Sequence, residues 1–217
     1  MKISKLDLEP TAIDFLTSEG FEKLYEPQAY SVDAGILDGK SVLVSAPTAS
    51  GKTLIAMLGM LAHLPKNKSK IVYLSPLRAL AAEKFTEFKK LEKINLGRKI
   101  KVGISTGDFD SVEDKLENSD ILVLTNEKMD ALMRFGQSWI SEIGLVIVDE
   151  IHLIGDEGRG PTLEMVLTRL KSGLIGTIPQ IIALSATITN SDELAEWLNC
   201  EHVESTWRPV PLSEAVY

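Results

Sequence analysis

Six short runs of Val, Ile and Leu recur along the chain and limit what it can fold into: SVLVS at 41–45, IVYLS at 71–75, KVGIS at 101–105, ILVLT at 121–125, LVIVD at 145–149 and IIALS at 181–185. Each is strand-length. Their hydrophobicity is nearly continuous rather than alternating, the pattern of strands covered on both faces. Helix-like segments lie between most of them. The expectation is an α/β fold, a mostly parallel sheet with helices on both faces. Helical periodicity is clearest at 77–90, where Leu77, Leu80, Ala81, Lys84, Phe85 and Phe88 form a stripe, and Pro161 in a first turn marks another helix at 161–171. Further helices are expected at 10–19, 27–37, 51–63 and 191–198.

Composition agrees with one folded domain. The chain has 217 residues, 44% of them hydrophobic and 25% charged, which disfavours disorder and fibrous classes. The formal net charge is −8, so a contact with nucleic acid has to come from a local site rather than a basic surface. Cys200 is the single cysteine, which excludes an internal disulfide and an all-cysteine metal site; it reads as a small buried or half-buried side chain. The N-terminus lacks the apolar core of a signal peptide, and no run approaches a membrane span. A soluble protein of the cytoplasm, with no membrane partner, is the expectation. The lysines at 66, 68 and 70 read as a solvated loop.

The ends of the apolar runs carry the chemistry. Each run finishes in small or polar residues: Ser45 to Thr48, Ser75-Pro76, Ser105 to Asp108, Thr125 to Glu127, Asp149-Glu150 and Ser185 to Thr187. In open parallel sheets, ligands bind outside the carboxyl ends of the strands. After the first run comes APTASGKT, from Ala46 through Pro47, Thr48, Ala49, Ser50, Gly51 and Lys52 to Thr53, a phosphate-binding loop with Ala in place of the first Gly. Backbone N–H groups at such a helix start favour an anionic triphosphate, Lys52 can reach its outer phosphates, and Thr53 can ligate Mg2+. The Asp149-Glu150 pair at the end of a buried strand needs a partner for its charge. With the loop present, Asp149 is a candidate for holding Mg2+, partly through water, and Glu150 for orienting the attacking water.

Taken in order, APTASGKT, SPLRAL at 75–80, TGD at 106–108, TNEK at 125–128, DEIH at 149–152 and SAT at 185–187 resemble the motif set of superfamily two helicases of the DExH-box type. YEPQ at 25–28, DEIHLIGDEGRGPTLE at 149–164 and WRPVPL at 207–212 are similar to the Ski-like branch, and within it to archaeal DNA-repair helicases that unwind in the 3′ to 5′ direction. The resemblance implies the first of two RecA-like motor domains, a phosphate-loop NTPase, over residues 1–203, with the glutamine motif inside 1–40. Residues 204–217 would lead toward a second motor domain. ATP and Mg2+ are the implied cofactors, and single-stranded or forked DNA is the implied partner, with RNA second.

The same resemblance implies roles. Lys52, Asp149 and Glu150 would be catalytic. Gln28 would bond the adenine edge, with Phe21 or Tyr25 beside the ring. His152, Ser185 and Thr187 would couple nucleotide turnover to strand movement, and Ser185 and Thr187 have hydroxyls suited to bonding the Asp149–Glu150 region. Pro76, Leu77, Arg78, Thr106, Gly107, Thr125 and Lys128 would contact nucleic acid, chiefly at phosphates and without reading sequence. Arg159 would either stabilise the loop after the acidic pair or touch nucleic acid, and Trp207 and Arg208 suit a structural or interdomain role. The alternatives are an RNA helicase of the same branch, a non-catalytic nucleotide-binding module, and another phosphate-loop NTPase. The last has no use for SPLRAL, TNEK and SAT in series.

Overall fold

The computed structural model describes residues 1–66, 69–107, 116–174, 176–187 and 190–210. Seven strands form one sheet: β1 Val42–Ser45, β2 Lys70–Ser75, β3 Val102–Ser105, β4 Ile121–Thr125, β5 Ile143–Val148, β6 Gln180–Ser185 and β7 Glu201–Glu204. Their order across the sheet is β3-β4-β2-β5-β6-β1-β7, and the pairings are parallel throughout. Among the described residues the main helices are α1 Pro10–Ser18, α2 Glu26–Asp33, α3 Lys52–Lys66, α4 Arg78–Phe88, α5 Asn126–Phe135, α6 Gly160–Lys171 and α7 Ser191–Leu198.

Alternation within each apolar run explains its continuity. In β2, Ile71 and Tyr73 enter one core while Val72 and Leu74 enter the other; in β5, Leu145 and Ile147 oppose Val146 and Val148 in the same way. The first core is closed by α1, α3 and α4 through residues such as Leu16, Ile55, Leu58 and Phe88. The second is closed by α5, α6 and α7 through Met129, Leu167 and Leu198. A strand between two apolar layers has no polar face to show, as is usual for parallel sheets.

Parallel register brings all the strand ends to one edge. Ser45 aligns with Ser185 and Glu204, and Ser75 with Thr125. Leu74 aligns with Val148, so Asp149 follows directly beside Ser75. Residues far apart in sequence therefore share one rim.

Two elements were not expected. Helix α5 starts straight from β4, capped by Thr125 Oγ1, which accepts the Lys128 N–H at 3.3 Å, and ends at Gly136 with φ 70°. Strand β7 adds an edge next to β1. One expectation is corrected: Lys70 is not in a solvated loop but is buried at the start of β2, where its ammonium donates to the Glu117 and Ser119 carbonyls. Those carbonyls satisfy a charge that water would otherwise hold. Lys68, the side chain of Lys66, Asp108 and residues 211–217 of the exit segment lie outside the described residues.

Candidate nucleotide and nucleic-acid site

The loop 46–53 joins β1 to α3 as its pattern requires. Gly51 has φ 86°, a left-handed backbone that favours glycine, and a Cβ there would lie 2.1 Å from Gln28 Nε2. Ala49 also adopts positive φ, 64°, but Ala46 does not. Alanine is therefore tolerated at the first loop position, where it is buried and donates its N–H to Ser185 O at 3.2 Å. The departure from the glycine pattern does not distort the turn.

Lys52 folds back over the loop, donating to Ala46 O at 2.8 Å and Pro47 O at 3.2 Å. Burial pulls its ammonium below the ordinary lysine value, and the Glu150 and Asp149 carboxylates pull the other way. Burial leaves the ammonium short of full solvation, which favours an anionic partner, while the two carboxylates favour its charged form.

Across the rim, Asp149 receives the Tyr73 hydroxyl on Oδ2 at 2.7 Å and the Glu150 N–H on Oδ1 at 3.1 Å. Burial raises the Tyr73 phenol well above its usual value, and Asp149 adds to this, so the phenol stays protonated as a donor. Glu150 sits at φ 51°, a conformation rare for non-glycine residues and common where function stores strain. Its Oε2 is buried without a hydrogen-bond partner, 3.3 Å from His152 Nδ1. The Ser50 hydroxyl is buried and unpartnered as well. The oxygens of Thr53 and Asp149, and the orphaned Glu150 Oε2, are hard donors of the kind Mg2+ takes. They could hold that ion.

Gln28 is buried against the loop. Its Nε2 faces Ser50 O at 3.4 Å and Gly51 O at 3.3 Å, and its Oε1 accepts the Tyr25 N–H at 2.7 Å. Both ends of its amide are engaged within the protein, so an adenine contact would displace one of these bonds. Tyr25 stacks on Trp207 with ring centroids 4.5 Å apart, while Phe21 packs against the first core. Ser205 ties the chain's departure from β7 to the same corner, its Oγ donating to Glu26 Oε1 at 2.7 Å. The segment after β7 thus begins pinned to the glutamine motif.

The turn 151–155 that carries His152 packs against β6, which ends at Ser185. The expected bond from Ser185 to the acidic pair is not made: Ser185 Oγ is buried with no hydrogen-bond partner. Thr187 is exposed on the rim.

A groove on the same rim is lined by Pro76, Leu77, Arg78, Thr106, Gly107, Thr125, Glu127, Lys128 and Arg159. The seven residues assigned to nucleic acid from the motifs therefore meet in one place. Arg159 joins them, which favours the second of its two readings. Glu127 was not anticipated; it adds a carboxylate where the groove is otherwise cationic. The Thr125 hydroxyl already caps α5 and lines the groove in that role.

Comparison with known proteins fits this geometry. The DEAD/DEAH box helicase family model matches residues 25–194. The chain is 46% identical over its full length to the ATP-dependent DNA helicase Hel308 of Pyrococcus abyssi, and equally so to that of Thermococcus kodakarensis, spanning 29% and 18% of those proteins. Among solved structures, the DUF1998 helicase MrfA superposes with a TM-score of 0.76 at 24% identity, covering 92% of this chain and 33% of MrfA. Its DNA-bound form matches equally well at 25% identity, covering 92% of this chain and 30% of that one. With a phosphate loop, an acidic pair and a groove on one rim, and a family match over most of its length, the chain belongs to the DEAD/DEAH box helicases.

Proposed function

We propose that this chain is the nucleotide-holding motor domain of an ATP-dependent helicase that moves 3′ to 5′ on single-stranded DNA in repair. The observation that carries the reading is the convergence of Pro76 to Arg78, Thr106-Gly107, Thr125 and Lys128 into one groove at the ends of β2, β3 and β4, on the same sheet edge from which the 46–53 loop leaves β1. The relatives named ATP-dependent DNA helicase support DNA over RNA.

In this reading the loop N–H groups and Lys52 hold the phosphates, and Lys52 leaves the Ala46 and Pro47 carbonyls to do so. Thr53 and Asp149 would hold Mg2+, which supplies charge neutralisation between the outer phosphates. Glu150 orients the attacking water and accepts its proton, and His152 limits the swing of the Glu150 carboxylate. Tyr73 keeps Asp149 in place from below. The second motor domain would supply cationic stabilisation across the cleft, commonly worth ~10³-fold or more in rate, so the chain alone turns ATP over slowly.

Nucleic-acid binding tests the groove. Titrating the chain into a fluorescein-labelled single-stranded DNA, read by anisotropy, should show Arg78→Ala and Arg159→Ala each weakening binding. Each should also lower the salt slope by about 0.7, as expected for one lost phosphate contact on a single strand. Unchanged affinity and slope in both variants would remove the groove from the strand path. Tighter binding to RNA of the same sequence would favour the RNA-helicase reading.

A further inference from the structure

Helix α4 touches both halves of the rim. It opens with Arg78, which lines the groove, and six residues later, about 9 Å along the axis, it places Lys84. That side chain is turned inward and only 14% exposed. Its ammonium donates to Thr53 Oγ1 at 2.9 Å, to Glu87 Oε2 at 3.2 Å and to Glu83 Oε1 at 3.4 Å. Three donors thus meet three acceptors. Glu87 also lies near enough to Tyr73 to act on its phenol together with Asp149. Lys84 is thereby linked to the residues around the acidic pair.

Thr53 Oγ1 is the oxygen that the phosphate-loop pattern assigns to the metal. A hydroxyl held by an ammonium offers less of its lone-pair density to a dication, and the two cations would sit within a few ångströms of each other at the same oxygen. Lys84 and the metal therefore compete for one position, and Glu87 and Glu83 already hold the ammonium that would leave Thr53.

We propose that Lys84 is a resident counter-cation of the nucleotide site, holding Thr53 until a divalent ion arrives with the nucleotide, takes that oxygen and leaves the ammonium on Glu87 and Glu83. Because Arg78 begins the same helix, this exchange ties α4 to α3 in one state and releases it in the other. It is a direct physical link between nucleotide and groove. The inference rests on the proposed Mg-nucleotide site at 46–53, and Lys84 acts in it as a positioning residue.

The test is the magnesium dependence of ADP binding, measured calorimetrically with ADP in excess EDTA and with ADP in excess Mg2+. In Lys84→Met, and equally in Lys84→Gln should the first variant fold poorly, the ratio of the two affinities should rise at least about five-fold, because the metal no longer competes with an ammonium. Lys84→Arg, which keeps the charge, should hold the parent ratio within about two-fold. An unchanged or smaller ratio in Lys84→Met and Lys84→Gln overturns the proposal, as does an equal rise in Lys84→Arg. A parent chain that binds ADP in neither condition overturns the nucleotide reading and this inference with it. A parent that binds through Lys52, with an unaltered ratio in the Lys84 variants, overturns this inference alone.

Discussion

Glu150→Gln is expected to lower ATP hydrolysis by at least about 100-fold while leaving Mg-ATP affinity within a few-fold, the range in which a lost general base acts. The expectation follows from geometry. Glu150 is held at φ 51° with one buried carboxylate oxygen that bonds nothing in the protein. Leaving such an oxygen unsatisfied is costly unless a ligand or water completes it. Glutamine keeps the size and the backbone turn but cannot accept a proton. Single-turnover hydrolysis, with the chain in excess over labelled ATP, reads the slow rate of a lone motor domain. An unchanged rate would make Glu150 a structural residue and favour a non-catalytic nucleotide module.

The second large effect is on binding. Lys52 bonds the Ala46 and Pro47 carbonyls of the loop, and in the proposed site these two bonds are exchanged for phosphate oxygens when nucleotide enters. Hydrogen bonds involving charged groups contribute about 1.5–3 kcal/mol each, so losing two costs about 3 kcal/mol or more and weakens Mg-ADP about 100-fold. At ADP about 100 times the parent Kd, ligand linkage stabilises the parent by about 2.7 kcal/mol, or roughly 5–10 °C for a domain of this size. In Lys52→Ala the same ADP should raise Tm by only about 1 °C. Differential scanning fluorimetry distinguishes these, and equal upshifts in both proteins would place the nucleotide away from the loop.

What was legible in the sequence followed the strength of each physical signal. Six strands stood out because burial on both faces makes their runs continuously apolar. Strand β7, EHVE, did not: it lies on an edge and buries only Val203 among its four residues. Helix α5 was hidden because it follows β4 with no linker and shows few core positions, Met129, Leu132 and Met133. Its start and stop, Thr125 and Gly136, were a cap pair that could have revealed it. Local pattern placed the 46–53 loop between a strand and a helix and the acidic pair at a strand end, because both are contiguous segments whose pattern lies in adjacent residues. Side-chain reach across elements was not legible. Lys84 read only as part of a helical stripe, Lys70 as solvated and Ser185 as a partner of the acidic pair, and the bond from the buried Tyr73 to Asp149 left no pattern. Where each of these side chains ends depends on strand order, which spacing alone does not give.

Calorimetric titration of the 217-residue chain with Mg-ADP, alongside Lys52→Ala and Arg78→Ala, bears most immediately on a nucleotide site at the 46–53 loop. One-to-one binding of equal affinity is expected in the parent and in Arg78→Ala, whose side chain lies in the groove, with binding about 100-fold weaker in Lys52→Ala. Parent-like affinity in Lys52→Ala, or no binding by the parent, would contradict a nucleotide site at this loop.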